Sequence, residues 1–178
     1  IETVKNISPT FGGINLEDIK APEAFEIERR LVDELDIPVM HDDQHGTAII
    51  SGAALINALE LANKKIGEIR MVICGAGAAA ISCAKMYKSL GVKKKNILMF
   101  DSKGLINVNR KDLSLEKKLF ASKNVEIESL ADAINGSDVF IGLSKADMMS
   151  KEMLLSMNKN PIVFAMANPD PEISYKVA

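Results

Sequence analysis

From Ile66 onward one local pattern repeats: a short apolar run, a turn, a helix-period segment, then another short apolar run. Ile69-Arg70-Met71-Val72-Ile73-Cys74 is the first run, and it stops at Gly75. Ile97-Leu98-Met99-Phe100 ends at Asp101, and Val139-Phe140-Ile141-Gly142 and Ile162-Val163-Phe164-Ala165 follow. Apolar runs this short, without alternation, read as strands buried on both faces. Between them lie helical segments. One runs from Ala78 to Leu90 with Gly91 as its terminator, one is capped by Ser129 and runs through Ile134, and one is capped by Ser150 and runs through Met157. Strands that alternate with helices need crossover connections. The pattern therefore predicts an α/β, doubly wound, mostly parallel sheet with helices on both faces.

Before Ile66 the chain reads differently. Pro22 suits a first helical turn, and Ala24, Ile27, Leu31 and Leu35 form one apolar stripe, with the Glu and Arg residues between them turned to solvent. Ile37-Pro38-Val39-Met40 reads as a short strand running into His41-Asp42-Asp43-Gln44-His45-Gly46. Thr47 to Ala62 is a helix whose only charge is Glu60, which predicts burial nearly all round. Asp101 to Lys118 reads as a loop and a short helix with lysines facing water. We expect residues 1–45 to form an N-terminal segment and residues 46–178 the α/β domain. The chain opens at Ile1 rather than Met, and the expectation is a piece of a longer polypeptide.

Composition excludes several classes. Lys and Arg total 22 against 24 Asp and Glu, a net charge of −2, so no electrostatic footprint points to nucleic acid or an anionic membrane. The longest stretch without Asp, Glu, Lys or Arg, Gln44 to Leu59, is short of a membrane span and contains Ser51 and Asn57. Cys74 and Cys83 lack C-x-x-C spacing and read as core thiols of a reducing, cytoplasmic setting.

Gly75-Ala76-Gly77-Ala78-Ala79-Ala80 sits between the first strand and its helix. Gly75 permits a tight turn, Gly77 lets backbone approach a pyrophosphate, and Ala80 is small enough for close helix–strand packing. Free amides at the helix start then face the anion. Asp101, ending the next strand, is placed to accept from a ribose hydroxyl. An acid there favours NAD over NADP, but Ser102 and Lys103 soften that preference, so either cofactor remains open. Taken alone, the turn also suits a structural glycine bend or another nucleoside cofactor, such as S-adenosylmethionine.

Two carboxylate pairs stand out, Glu17-Asp18 and Asp42-Asp43. Adjacent like charges call for a cation or a raised pKa, and hard oxygen donors suit Mg²⁺ or Mn²⁺. His41 and His45 flank the second pair and invite a zinc reading, but Asp-Asp-Gln between them is not the Glu-bearing pattern of a zinc protease. Glu17-Asp18 is also compatible with an ordinary helix N-terminus.

Together, Phe11-Gly12-Gly13-Ile14-Asn15-Leu16-Glu17-Asp18-Ile19, Pro38 to Ala48, Gly75-Ala76-Gly77-Ala78-Ala79 and Ala167-Asn168-Pro169 resemble the malic enzymes, particularly the short bacterial type. The resemblance implies oxidative decarboxylation of malate to pyruvate and CO₂ with NAD or NADP reduced and Mg²⁺ or Mn²⁺ required. It implies Glu17, Asp18 and Asp43 as metal ligands and Asp42 as an orienting neighbour. It implies Gly75, Ala76, Gly77, Ala78, Ala79, Asp101 and Asn168 as cofactor contacts, with Asn168 also touching substrate. A divalent ion there polarises the 2-hydroxyl and later the ketone, stabilising the enolate as CO₂ leaves. The family's general base Lys and general acid Tyr are expected upstream of Ile1. Lys5 and Lys20 read as surface residues, and neither Tyr87 nor Tyr175 fits the acid's place, so these 178 residues are expected to bind cofactor but turn malate over poorly. The family also implies a homodimer or larger assembly. Alternatives are a metal-free NAD(P)-dependent dehydrogenase domain, a non-catalytic nucleotide-binding module and a methyltransferase.

Overall fold

The computed structural model describes residues 1–178. It opens with α1 (Glu2–Ile7), β1 (Ile14–Leu16), α2 (Glu23–Glu34), β2 (Val39–His41) and α3 (Asp42–Leu61). There follow β3 (Met71–Cys74), α4 (Ala78–Leu90), β4 (Ile97–Asp101), β5 (Gly104–Leu105) and α5 (Leu115–Lys118). The chain continues through α6 (Leu130–Ile134), β6 (Val139–Gly142), α7 (Lys151–Leu155) and β7 (Ile162–Ala165). The main sheet has the order β5-β4-β3-β6-β7, parallel except for β5, while β1 and β2 pair separately and in parallel. The order steps outward from β3 in both directions, so the doubly wound topology is borne out and its switch point lies between β3 and β6.

Alternation along β3 divides the core. Met71 and Ile73 join Ile97, Met99, Val139 and Ile141 under α3 and α4, which contribute Leu55, Leu59, Ile81 and Tyr87. Val72 and Cys74 turn to the opposite face with Leu98, Phe100 and Phe140, covered by Ala133 and Ile134 of α6. Side chains with a period of two, buried on both sides, are what a helix-covered parallel sheet requires. Local chemistry sets the boundaries. Gly91 ends α4 at φ 120°, a conformation that side chains avoid. Ser129 and Asp132 cap α6 reciprocally, each side chain binding the other's backbone amide.

At the amino edge of the sheet, Asp138 gathers the Lys64 ammonium (2.7 Å), the Arg70 amide (2.8 Å) and the Asn158 amide group (3.0 Å). Burial opposes its charge, but these donors prevail and hold its carboxyl below the usual range.

Several expectations are corrected. α3 begins at Asp42, not Thr47, which brings Asp42 and Asp43 into its first turn, where carboxylates are favoured by the dipole. α3 is not buried nearly all round: it packs on α4, with Gly52 against Met86 and Leu90, but Ile50 is 69% and Leu61 89% exposed. An evenly apolar helix has several faces to cover, and this chain covers one. α7 stops at Leu155. The lysines after Asp101 do not simply face water, since Lys103 pairs with Asp112 and Lys117 with Asp101. Nor is every acid of α2 solvated, because Glu28 accepts from the His41 amide and meets the His45 ring at 2.8 Å. The division expected between residues 45 and 46 falls within α3. No helix is long and apolar enough to cross a membrane.

Candidate functional site

A cleft of about 580 Å³ opens at the carboxyl ends of the central strands. Its floor is Cys74, Gly75, Ala76 and Gly77; one wall carries Asp101, Ser102 and Lys117, and the other Leu143, Ser144, Lys145 and Met148. It thus straddles the switch point, where open α/β sheets receive ligands. One glycine makes the floor possible and a second leaves it bare. Gly75 sits at φ 128°, and a Cβ there would overlap the Leu143 carbonyl. Gly77 caps α4 without a side-chain bond, and a Cβ on it would meet nothing within 4 Å. The first α4 amide bonded inside the helix is Ile81 N–H to Gly77 O, at 3.0 Å. The amides of Ala78, Ala79 and Ala80 come before it and cannot bond within the helix, so this end of α4 suits a pyrophosphate. Ala78 and Ala79 do not line the cleft.

Asp101 does not stand free. Its two oxygens accept from the Arg110 fork at 2.8 and 3.0 Å, from the Lys117 ammonium at 2.8 Å and from the Lys103 amide at 3.0 Å. Burial works against its charge, and these donors more than offset that, so the carboxyl lies well below the usual carboxylate range. Sequence reasoning missed Arg110 and Lys117, because no local pattern announces a clamp closed across a loop. On the opposite side, the Cys74 thiol lies 3.3 Å from the Ser144 hydroxyl, and burial pushes its pKa up.

The acidic motifs form a second locus, outside the cleft lining. β1 and β2 pair with Leu16 opposite His41, so Glu17-Asp18 and Asp42-Asp43 leave the same end of neighbouring strands. Asp18 is at φ 57°, and its amide donates to Asp43 Oδ2 at 2.9 Å. Glu17 accepts from the Asn15 side chain at 2.8 Å, and the Asp42 carboxylate folds over Gly46. The carboxylates are neighbours without converging: no three His, Cys, Asp or Glu side chains are drawn together as an ion would draw them. Their chemistry fits a hard divalent cation, since all the donors are carboxylate oxygens at an exposed edge. Glu17 and Asp18 follow a strand and do not open a helix. Asn168 is exposed just beyond β7 and does not line the cleft.

A glycine turn at the switch point of a doubly wound sheet, opening on such a cleft, defines the class as a dinucleotide-binding domain. Residues 44–176 match the family described as malic enzyme, NAD binding domain, and the chain belongs to that family. An NADP-dependent malic enzyme of Halomonas elongata is 53% identical over 173 residues, which cover 97% of this chain and 41% of the relative. An NAD-dependent malic enzyme of Rhizobium meliloti is 49% identical over 178 residues, all of this chain and 23% of its own length. The crystal structure of Entamoeba histolytica malic enzyme matches with a TM-score of 0.95 at 41% identity, covering 99% of this chain and 38% of that one. The chain therefore spans less than half the length of these relatives.

Proposed function

We propose that this chain is the cofactor-binding part of a malic enzyme, which oxidises malate to pyruvate and CO₂ while reducing NAD⁺ or NADP⁺. The observation that carries the reading is the pairing of β1 with β2, which sets Glu17-Asp18, just after β1, beside Asp42-Asp43, on the first turn of the helix that packs against α4. In this reading the Gly75–Ala79 turn holds the pyrophosphate, and the Asp101 side of the cleft takes the adenosine half. The Ser144 side then faces the nicotinamide. Glu17, Asp18 and Asp43 hold Mg²⁺ or Mn²⁺, with Asp42 orienting the turn, and Asn168 reaches the substrate carboxylate or the nicotinamide. The nicotinamide supplies a hydride acceptor, and the cation supplies a Lewis acid for the hydroxyl and the later ketone.

Neither tyrosine of the chain supplies the general acid. Tyr87 is buried and donates to the Ser51 hydroxyl at 2.8 Å, and burial pushes its phenol above its ordinary pKa, while Tyr175 is 96% exposed. In this reading the general acid and its partner Lys belong to another part of the enzyme. Two unpaired thiols, Cys74 and Cys83, fit a cytoplasmic setting. A homodimer or larger assembly is part of the same reading, and a single-copy mass by light scattering overturns that part.

The test is a pair of titrations. The chain should bind NADH or NADPH, followed by fluorescence, and Mn²⁺, followed by its free-ion spin-resonance signal. Asp43→Asn should weaken Mn²⁺ at least tenfold, roughly 1.4 kcal/mol, and leave coenzyme affinity within about twofold. Mn²⁺ affinity unchanged by Asp43→Asn overturns the metal assignment.

A further inference from the structure

Glu172 is wholly buried, yet no lysine, arginine or histidine pairs with it. A carboxylate withdrawn from water without a cation is costly unless directed donors replace its hydration. Two donors do so here. The Ser144 amide donates to Oε1 at 2.9 Å and the Ala167 amide to Oε2 at 3.1 Å. The first amide follows β6 and the second follows β7, so one carboxyl group bridges the loops leaving two adjacent strands. It rests directly on Gly142, where a Cβ would overlap it. Backbone bonds fasten the same segment: the Met149 amide donates to Glu172 O at 3.0 Å and the Asp147 amide to Pro171 O at 3.3 Å.

Resting on the dinucleotide reading above, we infer that Glu172 is a positioning residue that fixes the nicotinamide-side wall of the cleft and the start of the Asn168 loop. The chemistry requires a carboxylate. Two N–H groups approach two different oxygens, and an amide of the same shape offers one acceptor and places an NH₂ against the other donor. Ser144, Lys145 and Met148 line the wall that the first bond holds, and Asn168 directly follows the residue held by the second. The β4 wall, with Asp101 and Lys117, is built without Glu172. Loss of the bridge should loosen one half of the cleft only.

The experiment separates the halves with ligands that do or do not carry nicotinamide. On the full chain, wild type and Glu172→Gln are titrated with NADH and ADP-ribose, or with NADPH and 2′-phospho-ADP-ribose if the phosphorylated coenzyme binds tighter. The expected result is at least a tenfold loss for the reduced coenzyme, with the nicotinamide-free ligand within twofold of wild type. Equal losses for both ligands, the signature of a merely structural residue, overturn the inference, and so does no loss for either. If Glu172→Gln does not fold, amide hydrogen exchange on wild type decides. The Ser144 and Ala167 amides should be protected without ligand, and exchange at unprotected rates overturns the inference. Failure of wild type to bind any reduced coenzyme sinks the dinucleotide reading itself, and is distinguished from these outcomes by the wild-type titration.

Discussion

A bare carboxylate at the end of the second strand of a dinucleotide fold would repel a phosphate on the 2′ position of the ribose. Asp101 is not bare: Arg110 and Lys117 lie on its oxygens, and Lys103 and Asp112 complete the cluster. Three cations against two anions leave this corner weakly positive, so the chain should accept NADPH at least as well as NADH. Arg110→Ala removes the excess, leaving two cations against two anions, and the ratio of NADPH to NADH affinity should fall about tenfold, roughly 1.4 kcal/mol, in titrations at matched ionic strength. An unchanged ratio would show that the clamp is irrelevant to coenzyme choice. Asp138 offers a separate test through acid. Its folded pKa lies below its ordinary value of 3.8, so its contribution is complete above that value and is lost as the pH falls through the folded pKa. Asp138→Asn should lower Tm at about pH 6, and the gap to wild type should close as both are taken to about pH 2. A gap constant with pH counts against the charged role of Asp138. The glycines, Ser129 and the buried thiols were legible as residues because their reasons are local. Arg110, Glu28 and Glu172 were not, because each acts on a partner that only the folded chain brings near.

Among the elements, α4 and the turn before it matched expectation residue for residue, since a glycine, a period and a terminating glycine all agree there. The turn also leaves no room for a side chain at its first glycine. Gly75→Ala places a methyl on the Leu143 carbonyl in a conformation that side chains avoid. It should cost about 2–4 kcal/mol of stability, seen as a lower Tm, and abolish detectable NAD(P)H binding. Wild-type affinity in Gly75→Ala would show that the turn does not shape the site. β1 escaped the sequence reading: three residues, of which Leu16 alone is buried, carry too little pattern to mark a strand. The start of α3 escaped as well, because the acidic, histidine-bearing first turn looks polar beside the apolar body that follows.

At the scale of the whole molecule, the order of strands and helices was readable, but the separate β1–β2 pair was not. That pair is what joins two acidic motifs lying far apart in the chain, so the half of the site best known from motif likeness was the half least legible as geometry. The division of labour has a physical origin. Alternating strands and helices obey connection rules visible along the chain, whereas pairing between remote short strands depends on closure that local patterning does not encode. α3 carries Asp42 and Asp43 at its tip and lies along α4, whose own tip presents the phosphate cradle. The two helices lie together as rod and splint, so the acidic edge and the cleft share one mechanical frame. Were each to take the ligand proposed for it, any effect of one binding on the other would be returned by the same factor, as thermodynamic linkage requires.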